Sequence, residues 1–210
     1  FCIDVYIYLA TGYNHHIPEW FYKKYPDLKG YGWGSPMETT ILRVREYHAE
    51  IVGNIFRYAP DLKGMVVIYD SEGFYHSGNR EASRKQCRTC QDMTLEEISL
   101  QLLNNLNDAM RATGGNEKEL IAWSYGDNVP WVERLIPRLP KNVIVQSDFS
   151  KGGLVVRDGI RHLTGDYNLT LVGPPESYVR QHRAAKQAGL DFVTNTEHAL
   201  SQEFIFVLYI

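Results

Sequence analysis

The feature that most constrains this chain is a repeated unit of apolar strand, loop and amphipathic helix. Phe1 to Ala10 (FCIDVYIYLA) is rich in β-branched and aromatic residues and reads as a buried strand. A short helix is expected over Pro18 to Tyr25, with Pro near its start, followed by a turn-rich loop from Pro26 to Pro36. Thr40 to Tyr58 is expected to be helical, with Ile41, Val44, His48, Ile51, Val52 and Ile55 forming one stripe. Gly64 to Asp70 (GMVVIYD) is the clearest strand. After a polar segment from Glu72 to Asp92, Thr94 and Glu97 form a capping-box pattern that opens a helix carrying Leu95, Ile98, Leu102 and Leu106 on one face. Gly114-Gly115 closes it.

The alternation continues to the end of the chain. Leu120 to Tyr125 reads as the third strand, and a helix starts at Asn128 and Pro130. Asn142 to Gln146 reads as the fourth strand. Leu154 to Asn168 is ambiguous, and Leu169 to Val172 resembles a fifth strand. Glu176 to Ala188 is a helix closed by Gly189. Leu190 to Thr194 is a sixth strand, and Phe204 to Tyr209 a candidate seventh.

Alternating β and α elements imply a parallel sheet. An open doubly wound sheet competes with a (β/α)8 barrel. The open sheet usually binds nucleotides through a Gly-rich first turn, and none follows any strand here; Gly30, Gly32 and Gly34 do not join a strand to a helix. Polar and aromatic residues recur instead where several strands end: Tyr13 to His16, Asp70 to Phe74, Trp123 to Asp127, Gln146 to Phe149, and Asn195 to His198. In a barrel those ends converge on one face. A full barrel takes about 250 residues, so the 210 residues here read as one incomplete barrel domain over 1–210. Opening and closing in apolar segments fits a piece of a longer protein.

Composition narrows the classes further. The chain is 44% hydrophobic and 22% charged, the balance of a globular domain rather than a disordered one. Its formal net charge of −3 comes without a Lys/Arg block, which argues against a nucleic-acid partner. No apolar run reaches the roughly 20 residues of a membrane-spanning helix. Aromatic residues are 12% of the chain, and many stand beside Gly, Pro, Asn or Asp, where loops are expected. Tyr and Trp in such places suit ring-shaped polar ligands such as sugars. Three cysteines do not make a disulfide framework, and the chain leans towards a cytoplasmic setting. Its oligomeric state is not legible.

The strongest local signal is Ile68-Tyr69-Asp70-Ser71-Glu72-Gly73-Phe74. Asp70 and Glu72 are two apart at a strand end, so both carboxylates would face the barrel mouth. Two close carboxylates split into one acid and one base, which is the equipment for glycosidic cleavage. Asp127, Asp148, Glu197 and Glu203 are further strand-end carboxylates. Trp123 and Tyr125 share a face and offer a stacking platform; Tyr31 and Trp33 offer a second. Tyr13 and His15 follow the first strand as candidate sugar contacts. Lys151-Gly152-Gly153 is a weak phosphate-loop candidate, and Asn168-Leu169-Thr170 fits a glycosylation acceptor.

The Asp70–Glu72 segment resembles the DxE ending of the catalytic strand in chitinase-type (family 18) glycoside hydrolases. It is also similar to the Asp-Glu pair of β-hexosaminidase (family 20) barrels. The resemblance implies that Glu72 is the general acid and that Asp70 orients the substrate's acetamido group, which acts as nucleophile. Met65 and Ile68 stand where the chitinase-type motif has two further Asp residues, and Ser71 separates a pair that is adjacent in the hexosaminidases. More widely, DVYIYLATGYNHHIPEWFYKKYPDLKG, DLKGMVVIYDSEGF and LTLVGPPE resemble a group of bacterial glycosidase-like barrel proteins. The expected function is therefore glycoside hydrolysis on a carbohydrate substrate. The alternatives are a non-catalytic carbohydrate-binding barrel and a phosphate-ligand barrel enzyme.

Cys87-Arg88-Thr89-Cys90 is a CxxC, with His76 eleven residues upstream of Cys87. Cys and His suit tetrahedral zinc, and a CxxC turn supplies two thiolates. A structural zinc on Cys87, Cys90 and His76 is the expectation, with Cys2 or His48 as candidate fourth ligands. Two free thiols or a redox pair are the competing readings, and the redox pair fits less well, because no thioredoxin-like strand-to-helix context surrounds the motif. No cofactor is expected for catalysis.

Overall fold

The protein is seen here as a computed structural model, which describes residues 3–9, 17–31, 36–69, 85–124, 130–149, 153–164 and 174–195. Seven strands fall within them: β1 (Tyr6–Leu9), β2 (Gly64–Ile68), β3 (Glu119–Ser124), β4 (Val143–Asp148), β5 (Gly153–Arg157), β6 (Ile160–Thr164) and β7 (Phe192–Asn195). The helices are α1 (Glu19–Lys24), α2 (Leu42–Tyr58), α3 (Leu95–Gly114), α4 (Pro130–Leu135) and α5 (Glu176–Ala188). None is long and apolar enough to cross a membrane.

The molecule is an α/β protein built on a five-stranded sheet in the order β1-β2-β3-β4-β7. Every neighbouring pair in it is parallel. The sheet is open among the described residues, with β1 and β7 at its edges; it agrees with the expected α/β class, and the incomplete (β/α)8 barrel expected from the sequence is not confirmed by it. β4 pairs directly with β7. The ambiguous stretch supplies neither: β5 and β6 form a separate antiparallel hairpin. Its turn is Asp158-Gly159, both at positive φ (52° and 78°), the backbone that a two-residue hairpin of type I′ demands. The expected strands at Leu169–Val172 and Phe204–Tyr209 lie outside the described residues.

The core forms on one side of the sheet. One phase of the strands contributes Met65, Val67, Leu120, Ala122, Val143 and Val145, all essentially inaccessible. They share a cluster with Val52 and Phe56 of α2, Leu102, Leu103, Leu106 and Met110 of α3, Val132 and Leu135 of α4, and Ala185 of α5. Apolar residues every third or fourth position on those helices meet alternate positions on the strands, which is why both periods are visible in the sequence. The stripe on α2 is rotated slightly from expectation: Val44, His48, Val52, Gly53 and Phe56 are the buried residues, while Ile51 and Ile55 are partly covered. Polar clasps join successive helices on this side. Arg134 on α4 pairs with the buried Glu96 of α3 at 2.5 Å, and Arg180 on α5 pairs with Glu133 of α4 at 2.6 Å.

The other phase of the strands is different. Ile68, Ile121 and Asp148 are buried in it, but Tyr8, Val66, Trp123, Ile144, Gln146 and Val193 are partly or largely exposed, Tyr8 by 47% and Val193 by 37%. Among the described residues, helices α2 to α5 therefore cover one face of the sheet and leave these residues on the opposite one. A doubly wound sheet carries helices on both faces.

Candidate functional site

The carboxyl ends of β2, β3, β4 and β7 are held in register by their ladders. Ile68 is level with Trp123, Trp123 with Gln146, and Asp148 with Asn195. Level partners on parallel strands point to the same face, so these side chains form a row on the face opposite the helices. Asp148 is its polar centre and is 5% exposed. Its Oδ1 accepts from Trp123 Nε1 at 3.0 Å and from Asn195 Nδ2 at 3.1 Å. One carboxylate oxygen thus ties together three strands. The Trp123 indole also meets the Tyr8 ring edge-on, with centroids 6.3 Å apart. Trp123, the candidate stacking ring, is half-buried, with its N–H committed to Asp148 and its ring in T-shaped contact with Tyr8. The ring remains partly open on the helix-free face.

β2 delivers the chain to the acidic motif. Tyr69, one residue past the strand, is 1% exposed and packs edge-on against Trp131 at 6.0 Å. Its N–H donates to the Trp123 carbonyl at 3.2 Å, so the chain is pinned to β3 immediately before Asp70. Asp70 and Glu72 themselves lie outside the described residues. So do Tyr13, His15, Trp33, Tyr125, Asp127 and Glu197, as well as His76, Glu203, Lys151, Gly152 and Asn168. Of the expected substrate contacts, Trp123 and Asp148 are therefore the two that the structure brings together. Asn195 completes their network; its place at a strand end was visible in the sequence, but its bond to Asp148 depends on β7 lying beside β4.

The cysteine motif lies in a second, smaller buried cluster with Ile98 and Met93. Cys87 and Cys90 are joined as a disulfide, the state for which the sequence context argued least. The Cys90 N–H donates to Cys87 Sγ at 3.0 Å. Glu38, 49 residues before Cys87, is the neighbour that no sequence signal announced. It is 3% exposed, and its Oε2 lies 3.0 Å from Cys87 Sγ and 3.6 Å from Cys90 Sγ. Its Oε1 accepts from the Thr40 hydroxyl at 2.8 Å and the Thr40 N–H at 3.1 Å. Burial pushes the Glu38 carboxyl above the usual carboxylate range, and the Thr40 bonds offset part of that rise. His48, one of the two candidate fourth ligands, is not in this group; it is buried on α2.

Two other features have local roles. Tyr6 donates to Glu119 at 2.5 Å, and Lys63 pairs with the same carboxylate at 3.1 Å, at the amino-terminal end of the strands. These groups stand at the opposite end of the sheet from Asp148. A cavity of about 390 Å³ lies between α1 and α2, lined by Phe21, Tyr25, Leu28, Met37, Arg43 and Val44. Its cation, Arg43, stacks 4.8 Å from the Tyr25 ring centre, and no carboxylate lines it among the described residues.

Fold and site together define an α/β protein whose parallel sheet carries its helices on one side and a carboxylate network at its carboxyl end. No family model matches the chain, and no curated protein does. Among solved structures, it is similar to the chitinase domain of the spore coat protein CotE from Clostridium difficile, at 18% identity and a TM-score of 0.38. The match covers 83% of this chain and 50% of that one, so the chain spans about half the length of this neighbour.

Proposed function

We propose that the protein is a glycoside hydrolase-like barrel, or a large part of one, that cleaves a glycosidic bond by carboxylate acid/base chemistry. The observation that carries the reading is the one-sided sheet with Asp148, Trp123 and Asn195 at its carboxyl end. In a (β/α)8 barrel the helices form the outer ring, and the alternate side chains of the strands line the interior. The helix-free phase of this sheet has that character: Val66, Ile68, Ile121 and Ile144 lead along the strands to Trp123, Gln146 and Asp148. Asp70 and Glu72 are the next two positions of the Val66–Ile68 series in the sequence, and the reading takes both as belonging to that end.

In this reading Glu72 donates its proton to the leaving glycosidic oxygen as the bond to the anomeric carbon breaks. It then takes a proton from the incoming water. Asp70 holds the substrate's acetamido group, as the resemblance implies. Asp148, buried and accepting two hydrogen bonds, anchors the floor of the site and keeps the Trp123 ring at a fixed angle beneath the sugar. Tyr125, Asp127, Tyr13, His15, Trp33 and Glu197 are the proposed surrounding contacts.

The test is a screen of labelled glycosides with the protein and with Glu72→Gln. Turnover of at least one glycoside by the protein, lost in a variant whose circular dichroism is unchanged, supports the reading. Unchanged turnover in Glu72→Gln removes Glu72 from the mechanism.

A further inference from the structure

The small cluster around the cysteines is independent of the sheet's carboxyl end and has ligand chemistry of its own. One oxygen of Glu38 and the two sulfurs of Cys87 and Cys90 lie within 4.8 Å of one another, and all three side chains are buried. Tetrahedral zinc with bonds of about 2.3 Å to sulfur and 2.0 Å to oxygen places those ligand atoms roughly 3.5 Å apart. The two O···S distances of 3.0 and 3.6 Å bracket that edge.

The surroundings also match what a metal-bound carboxylate and thiolate require. Thr40 occupies Oε1 with two donors, which turns Oε2 towards the sulfurs. Partners that orient a first ligand in this way are a regular part of metal sites. The Cys90 N–H already points at Cys87 Sγ, where it would stabilise a thiolate. Thr40 and Thr89 bridge their hydroxyls at 2.5 Å, closing the segment before α2 onto the CxxC turn. The Cα atoms of the two cysteines are 5.4 Å apart, a spacing that serves the disulfide and a chelating pair alike.

We propose that the dithiol form of this cluster binds one zinc ion through Glu38 Oε2, Cys87 Sγ and Cys90 Sγ. Reduction of the disulfide by a phosphine or dithiol breaks the S–S bond. It delivers two electrons and two protons, giving two thiols. Zinc then displaces both thiol protons to solvent and takes the two thiolates and the carboxylate. Three protein ligands leave the fourth tetrahedral position to water. The ion would clip the CxxC turn to the segment before α2, so its role is to hold the chain between β2 and α3 in place.

The experiment uses the full chain, reduced with a phosphine, stripped with a chelator and titrated with cobalt(II) as a coloured probe for zinc. One equivalent should produce a thiolate-to-cobalt charge-transfer band, which zinc then bleaches. Cys87→Ser should abolish the band, and Glu38→Gln should weaken cobalt and zinc binding at least tenfold. Thr40→Val, which keeps all three ligands, should weaken it less than Glu38→Gln. Zinc should also raise the melting temperature of the reduced protein, as expected when binding and folding are coupled. If the reduced protein, with the thiols of Cys87 and Cys90 titratable beside that of Cys2, shows no charge-transfer band, the proposal is overturned. Cobalt affinity unchanged by Glu38→Gln equally overturns the three-ligand site.

Discussion

The indole N–H of Trp123 donates to Oδ1 of Asp148 at 3.0 Å, joining the carboxyl ends of two neighbouring parallel strands. The bond puts a charge-capable acceptor and an aromatic ring in fixed relation on the helix-free face of the sheet. Trp123→Phe keeps most of the ring but removes the donor. A buried hydrogen bond of this kind is worth about 0.5–3 kcal/mol. Asn195 still serves the same oxygen, so the expected loss in urea unfolding is at the low end of that range. An unchanged midpoint would mean that the network does not hold the strand ends together.

Gly64 marks a second close approach, where β2 begins beside β3. A Cβ built there would lie 1.9 Å from the Glu119 carbonyl oxygen, a backbone atom that cannot swing aside. Gly64→Ala should therefore force the strands apart and cost about 3 kcal/mol, at the upper end of ordinary overpacking. Thermal unfolding measures it; a shift within error would show that the ladder at this end is loose.

His48 gives the protein an acid sensitivity. It is buried on α2, its Nδ1 has no hydrogen-bond partner among the described residues, and burial lowers its pKa from 6.5 to about 4. The unfolded chain takes up the proton more readily than the folded one. The stability contributed by a neutral His48 is therefore complete above pH 6.5 and falls as pH drops from there towards 4. The slope is about 1.4 kcal/mol per pH unit across that window. Unfolding curves at a series of pH values should show this slope in the protein and a shallower one in His48→Leu. Equal slopes would place the acid sensitivity elsewhere.

How far the sequence carried depends on whether the signal was local. The Thr94–Glu97 capping box is present with both of its bonds: Thr94 N–H to Glu97 at 2.7 Å and Glu97 N–H to Thr94 at 3.2 Å. Gly189 ends α5 at φ 65°, as a left-handed C-terminal glycine should. Both are written in residues a few positions apart. The Asp158-Gly159 hairpin was equally local, but its strands lack a clean apolar alternation, and the stretch read as ambiguous. The Glu38–cysteine cluster and the Trp123–Asp148–Asn195 network depend on which segments the fold places side by side. Glu38 carries no motif, and 49 residues separate it from Cys87. The pairing of β4 with β7 was likewise hidden, because alternation of strands and helices fixes their direction but not which strand leaves the sheet.

The most direct test of the proposed chemistry compares two glycosides of one sugar that differ only in their leaving group. A good leaving group departs without protonation, whereas a poor one requires the acid. If Glu72 is that acid, Glu72→Gln should slow the poor leaving group by about 10²–10⁴-fold, the usual worth of general acid catalysis, and the activated one far less. Equal losses on both substrates, or no loss on either, would contradict the account.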